Sequence, residues 1–217
     1  MIIGVTGTLG AGKGTIVEYL TEKRGCKHYS VSGYLKEKLV ERGVEVNRTS
    51  LVNLGNELRE KFGQGYIVEQ LFERARQGGG NAVIESLRNP GEVEILRKKG
   101  GFVLLAVDAD IGLRYERIRM RGSEKDSVSF EEFCSNEKRE MESDDPNKLP
   151  RLEDRGTGQA EKFVSRFHPR EKSRGILALN KQNLRQCMEM ADFRVLNNGS
   201  KEKLYSKLEG VLNGIKT

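Results

Sequence analysis

One glycine-rich stretch near the N-terminus decides the fold of this chain: Gly7-Thr8-Leu9-Gly10-Ala11-Gly12-Lys13-Gly14-Thr15. It follows a short β-branched run, and apolar residues at helical spacing come after it. Glycines between a strand and a helix let backbone N–H groups converge on phosphate oxygens, and the helix N-terminus adds about half a positive charge. Lys13 supplies a full charge that can follow the β- and γ-phosphates of a nucleoside triphosphate. The stretch therefore predicts a phosphate-binding loop, with ATP as the expected nucleotide.

Length and composition predict one domain, residues 1–217, because domains usually hold about 50–250 residues. Hydrophobic residues make up 36% of the chain and charged residues 32%, and the clear apolar runs among them exclude a disordered chain. No apolar run approaches the ~18 residues that span a bilayer, so we expect no membrane partner. Cys26, Cys134 and Cys187 form no C-x-x-C pair, which favours reduced thiols in a cytoplasmic protein.

Apolar runs with strand-like spacing alternate with runs at helical spacing. Strands are predicted at 1–6, 28–31, 81–85, 102–108 and 193–196, and helices at 15–23, 32–42, 49–62, 66–77, 90–99, 111–121, 130–143 and from 200 onward. Ser32 and Thr49 are predicted N-caps, and Pro90 a first helical residue. This alternation predicts an α/β, three-layer fold with a five-stranded parallel sheet, whose ligands bind beyond the carboxyl ends of the strands. Residues 149–181 break the alternation and are interpreted as a surface insertion.

The end of the glycine-rich stretch narrows the class of nucleotide-binding protein. In the general motif a Ser or Thr that contacts Mg²⁺ follows the lysine directly, whereas here Gly14 follows Lys13 and the hydroxyl comes at Thr15. Gly-Lys-Gly-Thr is the adenylate kinase form, and the chain resembles the P-loop nucleoside monophosphate kinases, which include adenylate kinase. The resemblance implies that Mg²⁺ is held largely through water and nucleotide phosphates, with Thr15 beside it. It also counts against a GTPase.

The segment from Tyr29 to Leu35 stands where adenylate kinases have a Ser-Thr-Gly-Asp segment that opens the acceptor-binding helices. By that resemblance, residues of about 32–77 bind the acceptor and Ser32 belongs to the site. Arg48 and Arg59 lie in the same region, where a guanidinium can clamp a phosphate with two hydrogen bonds. An exposed helix arginine without a ligand is the alternative for each.

Glu85-Ser86-Leu87-Arg88-Asn89-Pro90 follows the third predicted strand and is similar to the Asp-Gly-Phe-Pro-Arg turn of adenylate kinases. A carboxylate at a strand's carboxyl end can order Mg²⁺-bound water or orient an acceptor hydroxyl, although Glu85 can also be a plain strand-end cap. Arg88 is expected to contact the acceptor phosphate. Asp108 closes the fourth strand at a comparable level, with a helix N-terminal role beside Asp110 as the alternative.

Four arginines fall within eight residues at 114–121. On a helix, Arg114, Arg117 and Arg121 share one face, where they can neutralise charge on a transferred phosphoryl group. The family resemblance implies lid arginines here, so Arg117 and Arg121 are predicted catalytic residues in a lid of about 119–146. Lys138 and Arg139 are weaker additions, and a solvated basic helix is the alternative.

Residues 191–200 resemble the Ala-Asp-x-Val-Ile-x-Asn-x-Gly-Ser stretch of dephospho-CoA kinases. The resemblance implies that the turn after the last strand lies against adenine, with Asn198 and Gly199 as backbone contacts, and a purely structural turn is the alternative. The Asp-Ala-Asp and His-Pro segments of that family are missing from the matching positions. A nucleoside monophosphate is therefore the first expected acceptor and dephospho-CoA the second.

Together these patterns predict an ATP- and Mg²⁺-dependent kinase of a small nucleotide-like acceptor, working as a monomer or homodimer. A dephospho-CoA kinase-like enzyme and a non-catalytic, ATP-binding regulatory module are the alternatives. The net charge of +6 suits a polyanionic small molecule. Nucleic acid is not the expected partner, because no basic run is interleaved with aromatic residues; binding through residues 149–181 is the weakest interpretation.

Overall fold

The computed structural model describes residues 1–122, 129–141 and 183–215. In these ranges five strands form a single parallel sheet in the order β2-β3-β1-β4-β5. They are β1 (Ile2–Gly7), β2 (Lys27–Ser30), β3 (Ala82–Glu85), β4 (Phe102–Asp108) and β5 (Phe193–Leu196). The predicted α/β class and the predicted five-stranded parallel sheet are therefore confirmed.

Helices connect these strands and cover both faces of the sheet. They are α1 (Lys13–Arg24), α2 (Val31–Glu41), α3 (Arg48–Phe62), α4 (Tyr66–Gly78), α5 (Pro90–Lys99), α6 (Ile111–Arg121), α7 (Phe130–Met141), α8 (Leu184–Glu189) and α9 (Lys201–Gly214). The short helix α8 was not predicted from the sequence. The suspected insertion at 149–181 lies outside the described residues, as do residues 123–128 and 142–146 of the predicted lid. Among the described helices, none is long and apolar enough to cross a membrane.

Alternation along the strands divides the core between the two faces of the sheet. Ile3 and Val5 of β1 pack with helices α1 and α9, whereas Ile2 packs on the opposite face with residues of α2, α3, α4 and α5. Because successive strand side chains point to opposite faces, a continuous apolar run is what a strand buried on both sides requires. The central position of β1 places the glycine-rich loop at the middle of the sheet edge.

Two predicted helix caps are wrong by two residues. The Ser30 side chain, not that of Ser32, accepts a hydrogen bond from the Gly33 backbone N–H at the start of α2. Asn47, not Thr49, caps α3 in a reciprocal capping box with Ser50. An N-cap needs extended backbone at its own position, and Ser30 and Asn47 have it. The predicted start of α5 at Pro90 is confirmed.

Candidate functional site

The glycine-rich loop joins β1 to α1 at the carboxyl edge of the sheet. Gly10 and Gly12 adopt left-handed backbone conformations, with φ of 78° and 105°, and Gly12 is the N-cap of α1. A Cβ on Gly12 would run into Nδ2 of Asn197, so the position requires glycine for its conformation and for space. The Lys13 ammonium folds back over the loop and donates hydrogen bonds of 2.8 Å to the carbonyls of Gly7 and Thr8. The loop is thus a tight cradle with its lysine inside.

Two side chains from neighbouring strand ends brace this cradle. Asp108 accepts a hydrogen bond of 2.6 Å from the Thr8 hydroxyl and another of 2.8 Å from the backbone N–H of Ala109. Asn197, which is buried, donates from Nδ2 to the Ala11 carbonyl at 2.9 Å. The backbone N–H of Asn197 in turn donates to the carbonyl of Asp108. The loop backbone is therefore tied to β4 and to the turn after β5.

Arg114 is the first arginine of the face predicted on α6. Its side chain is buried, and it donates to the carbonyls of Ala109 and Leu9 at 2.8 and 3.3 Å. The guanidinium also binds both carboxylate oxygens of Glu137 in α7, at 2.5 and 2.8 Å. A guanidinium with these partners holds α7 against the loop, so the alternative of a solvated basic helix does not hold for Arg114.

Positive charge converges on Lys13. Burial is the main cause that lowers the pKa of the Lys13 ammonium from 10.5 to about 7, and the charges of Arg88, Arg114 and Arg121 lower it further. The carboxylate of Glu85 acts in the opposite direction. The charges of these three arginines therefore lie within electrostatic reach of the Lys13 ammonium. The structure therefore brings together four of the five predicted catalytic residues, namely Lys13, Glu85, Arg88 and Arg121.

Glu85 and Arg88 lie at the carboxyl end of β3, separated by a strained turn. Ser86 has a positive φ of 67°, which is uncommon for a residue with a side chain and directs the chain sharply after the strand. The Glu85 carboxylate faces Nε2 of His28 at 3.3 Å. Arg88 forms an ion pair of 2.9 Å with Glu140 in α7. Each of these two predicted site residues is thus held by another side chain.

The fifth predicted catalytic residue is Arg117, which lies one helical turn before Arg121 in α6. Its Nη2 donates to the Asn197 carbonyl at 2.9 Å, so the side chain points to the turn after β5. Its Nη1 is buried and has no hydrogen-bond partner among the described residues. Arg117 therefore supports the turn after β5, whereas the charge of Arg121 acts on the pKa of Lys13.

Two residues predicted to bind the acceptor, Ser32 and Arg59, lie in different surroundings. Ser32 is exposed, and its hydroxyl lies 3.0 Å from that of Ser30 and 3.3 Å from that of Ser86, at the edge of the site. Arg59 is only 3% exposed and donates to Glu92 in α5, which is fully buried, at 3.0 and 2.6 Å. That burial contradicts both interpretations of Arg59, a phosphate clamp and an exposed helix arginine.

Three further predicted positions complete the site. Arg48 is the first residue of α3, and its side chain lies outside what the structure describes. Thr15 lies in the first turn of α1, and Gly14 before it is exposed, with open space where a side chain would be. Among the described residues, no group of three or more His, Cys, Asp or Glu side chains is placed to hold a metal ion. Thr15 thus remains the predicted contact for Mg²⁺.

The turn after β5 contacts the glycine-rich loop, but through a residue that was not predicted. Asn198 is exposed and accepts a hydrogen bond from the Asp110 backbone at 2.8 Å, and Gly199 is exposed as well. Asn197 contacts the glycine-rich loop directly, and sequence reasoning missed it. The sequence did contain a signal for this residue, because the asparagine of the dephospho-CoA kinase stretch aligns with Asn197 rather than with Asn198.

Comparisons with known proteins agree with this geometry. A family model described as an AAA domain matches residues 3–145. A UPF0200 protein of Methanothermobacter thermautotrophicus is 33% identical over 143 residues, which are 65% of this chain and 72% of the relative. A UPF0200/UPF0201 protein of Archaeoglobus fulgidus is 29% identical over 97% of this chain, which spans 54% of that relative's length. The names of these relatives state no activity.

Among solved structures, a protein called TT1252 from Thermus thermophilus superposes with a TM-score of 0.52 and 20% identity, over 100% of this chain and 98% of that one. At this identity the likeness shows the fold alone. The glycine-rich loop on a five-stranded parallel sheet is a P-loop fold, in agreement with the predicted P-loop superfamily. The match to more than half of the chain establishes membership: the chain belongs to the AAA-domain family of P-loop proteins and to the UPF0200 family.

Proposed function

We propose that this protein is an ATP- and Mg²⁺-dependent phosphotransferase whose acceptor is a nucleoside monophosphate or a similar small nucleotide. One observation carries the proposal: the Lys13 ammonium lies within electrostatic reach of Arg88, Arg121 and the Glu85 carboxylate at the carboxyl edge of the sheet. Ligands of open α/β sheets bind at this edge. A nucleotide-binding protein without transfer chemistry needs the loop, but it does not need cations on the acceptor side of it.

The residues present fit a bound triphosphate. The cations around Lys13 repel one another in the free protein, and the anionic phosphates relieve that repulsion. Lys13 then exchanges the carbonyls of Gly7 and Thr8 for phosphate oxygens and stays with the γ-phosphoryl group as it moves. A bound Mg²⁺ supplies further positive charge to the phosphates, with Thr15 as the proposed contact through water.

Transfer in this site depends on positioning and neutralisation of charge. Arg88 is proposed to hold the acceptor phosphate so that one of its oxygens bonds to the γ-phosphorus while the bond to the β-phosphate oxygen breaks. Arg121 neutralises the charge on the transferred group, and ADP leaves. Glu85, which lies 3.3 Å from Nε2 of His28, would order water around a bound Mg²⁺. A nucleoside monophosphate is the first proposed acceptor. With dephospho-CoA, the second, the attacking oxygen would be a hydroxyl, whose proton would pass to the Glu85 carboxylate.

An ADP-release screen over nucleoside monophosphates, dephospho-CoA and small phosphorylated metabolites tests this function. We expect release that depends on one acceptor class, and its loss in Lys13→Ala and Arg88→Ala. Lys23→Ala, at the exposed end of the same helix α1, is the control and should behave as wild type. Circular dichroism checks that each variant is folded.

Two results would refute the proposal. Full activity in Lys13→Ala would mean that the loop lysine does not handle the transferred group. ATP binding without ADP release for any acceptor in the screen would instead identify an ATP-binding regulatory module.

A further inference from the structure

Helix α7 brings two carboxylates to the site from one of its faces. Glu137 and Glu140 are three residues apart, so they lie on the same side of the helix. Glu137 binds Arg114, and Glu140 binds Arg88 at 2.9 Å. Neither carboxylate was singled out by its sequence pattern. Both arginines influence the pKa of Lys13, so α7 places negative charge where phosphates are proposed to bind.

The two ion pairs differ in how firmly they are held. The Arg114 side chain is 4% exposed, and its guanidinium also donates to two backbone carbonyls that do not move with α7. The Arg88 and Glu140 side chains are 25% and 11% exposed, so water reaches the arginine. A partly hydrated pair is weaker and exchanges partners more easily than a buried one. The Glu137 pair is therefore an anchor, and the Glu140 pair is the exchangeable contact one helical turn farther along.

We infer that Glu140 is an internal competitor for the acceptor phosphate, which must displace this carboxylate from Arg88, and that Glu140 thereby sets acceptor affinity. A carboxylate presents the same pair of oxygens to a guanidinium as one edge of a phosphate does. A phosphate dianion carries more charge than Glu140, so it can take over the arginine while the Glu137 anchor keeps α7 beside the loop. The role of Arg88 in this inference rests on the proposed function.

The opposite role for Glu140 makes an opposite prediction. If the carboxylate instead orients Arg88 for the acceptor, its removal leaves the guanidinium misplaced and weakens phosphate binding. If it competes, removal strengthens binding. Glu140→Gln separates the two roles, because glutamine keeps the size of the side chain and a hydrogen-bonding oxygen but removes the charge.

The experiment titrates inorganic phosphate into the protein saturated with a non-hydrolysable ATP analogue, so that the glycine-rich loop is already occupied. Isothermal titration calorimetry measures the dissociation constant, and hydrogen–deuterium exchange follows the backbone of α7. We expect Glu140→Gln to bind phosphate about threefold to tenfold more tightly than wild type. Phosphate should speed exchange at the C-terminal turn of α7 in wild type, and Glu140→Gln should show the faster exchange without phosphate.

Glu132→Gln is the matched control, since it removes one charge from an exposed position of the same helix and should leave phosphate affinity unchanged. Arg88→Ala should lose phosphate binding. Unchanged or weaker binding in Glu140→Gln, or an equal gain in Glu132→Gln, overturns the inference. No turnover is required, so a failure here is separate from a failure of the ADP-release screen. Phosphate binding that survives in Arg88→Ala would count against both.

Discussion

The two sides of the glycine-rich loop differ in what holds their polar side chains. On the β4 and β5 side, Asp108, Arg114 and Asn197 each have a backbone partner in the loop or in an adjacent turn. On the β3 side, Glu85 and Arg88 are each paired with another side chain, His28 and Glu140. Backbone partners have fixed positions, whereas side-chain partners can rotate away. The first side therefore fixes the shape of the cradle, and the second can rearrange around a ligand.

This difference predicts which side chains around the glycine-rich loop tolerate substitution. Side chains that bind the loop backbone cannot change without moving the loop. Side chains that bind other side chains can be replaced in pairs. The largest exception on the acceptor side is the buried pair between Arg59 and Glu92, which joins α3 to α5. A substitution in this pair therefore tests most strongly whether the acceptor side contains a rigid element.

Arg59→Met should cause the largest loss of stability, about 3–5 kcal/mol, because Glu92 would remain buried without its cationic partner. One oxygen of Glu92 already lacks a hydrogen-bond partner among the described residues, so the carboxylate has little other compensation. Urea unfolding followed by circular dichroism measures the change. A loss of stability below about 1 kcal/mol would mean that the Arg59–Glu92 pair does not make this part of the acceptor side rigid.

The double variant Arg59→Met/Glu92→Leu is the control for this prediction. Removal of both charges leaves apolar groups of similar volume in the core, and we expect most of the stability to return. A double variant as unstable as the single one would show that packing, rather than the unpaired carboxylate, caused the loss.

The second largest effect is expected in the loop itself, where Gly12→Ala and Gly14→Ala form a matched pair. Alanine at 12 must adopt a φ near 105° and meets the Asn197 side chain, so we expect a loss of about 1–3 kcal/mol and no detectable ATP binding. Alanine at 14 meets no atom and lies in the first turn of α1, so stability should be unchanged or slightly higher. Thermal unfolding with and without ATP measures both. Equal losses of stability in Gly12→Ala and Gly14→Ala would contradict a fixed geometry of the glycine-rich loop.

Most of the fold was predictable because its signals are local. The run at 102–108 is apolar throughout, the loop follows a strand, and Pro90 marks a helix start, so each element could be assigned from its own residues. The helix caps were missed by two residues because Ser30 and Ser32 are equally good cap residues by type. Only the backbone conformation distinguishes them. Helix α8 was missed because its six residues are too few to show a helical period.

The site was less predictable, because its details depend on contacts far apart in sequence. Lys13, Glu85, Arg88 and Arg121 could be grouped because parallel strand ends meet at one edge and the family resemblance supplied the lid. No local signal distinguishes Arg59 from an exposed helix arginine, since its partner Glu92 lies 33 residues away in another helix. The same holds for Glu140, which joins Arg88 only through the packing of α7.

Asn197→Ala tests the β4 and β5 side of the loop, with a smaller expected effect than Gly12→Ala. It leaves the buried Ala11 carbonyl without its donor, so we expect a loss of about 1–2 kcal/mol and weaker ATP binding. Asn198→Ala is the neighbouring control, because that side chain is exposed and water can replace its bond to the Asp110 backbone. Chemical denaturation and ATP titrations compare the two. A greater loss of stability in Asn198→Ala would mean that Asn198, rather than Asn197, supports the loop.

The smallest expected effect is the pH dependence that Lys13 gives to the free protein. In the unfolded chain the ammonium keeps its proton up to about pH 10.5, whereas in the folded protein its pKa is about 7. Between these values the unfolded state binds more protons, so this lysine makes the fold more stable as the pH rises, by at most about 1 kcal/mol per pH unit near pH 8. The raised pKa values of the Cys26 and Cys187 thiols act in the opposite direction at alkaline pH.

The comparison with Lys13→Met removes the thiol contribution, since both proteins share it. Between pH 7.5 and 8.5 the wild type should gain stability relative to Lys13→Met, as measured by urea unfolding at each pH. Saturating ATP should abolish the difference, because phosphate restores the charged form of the lysine. A constant difference across this pH range in the free protein would mean that the ammonium is already paired with an anion. In that case the β3 side would lack the excess of positive charge that favours the exchange of Arg88 from Glu140 to a phosphate.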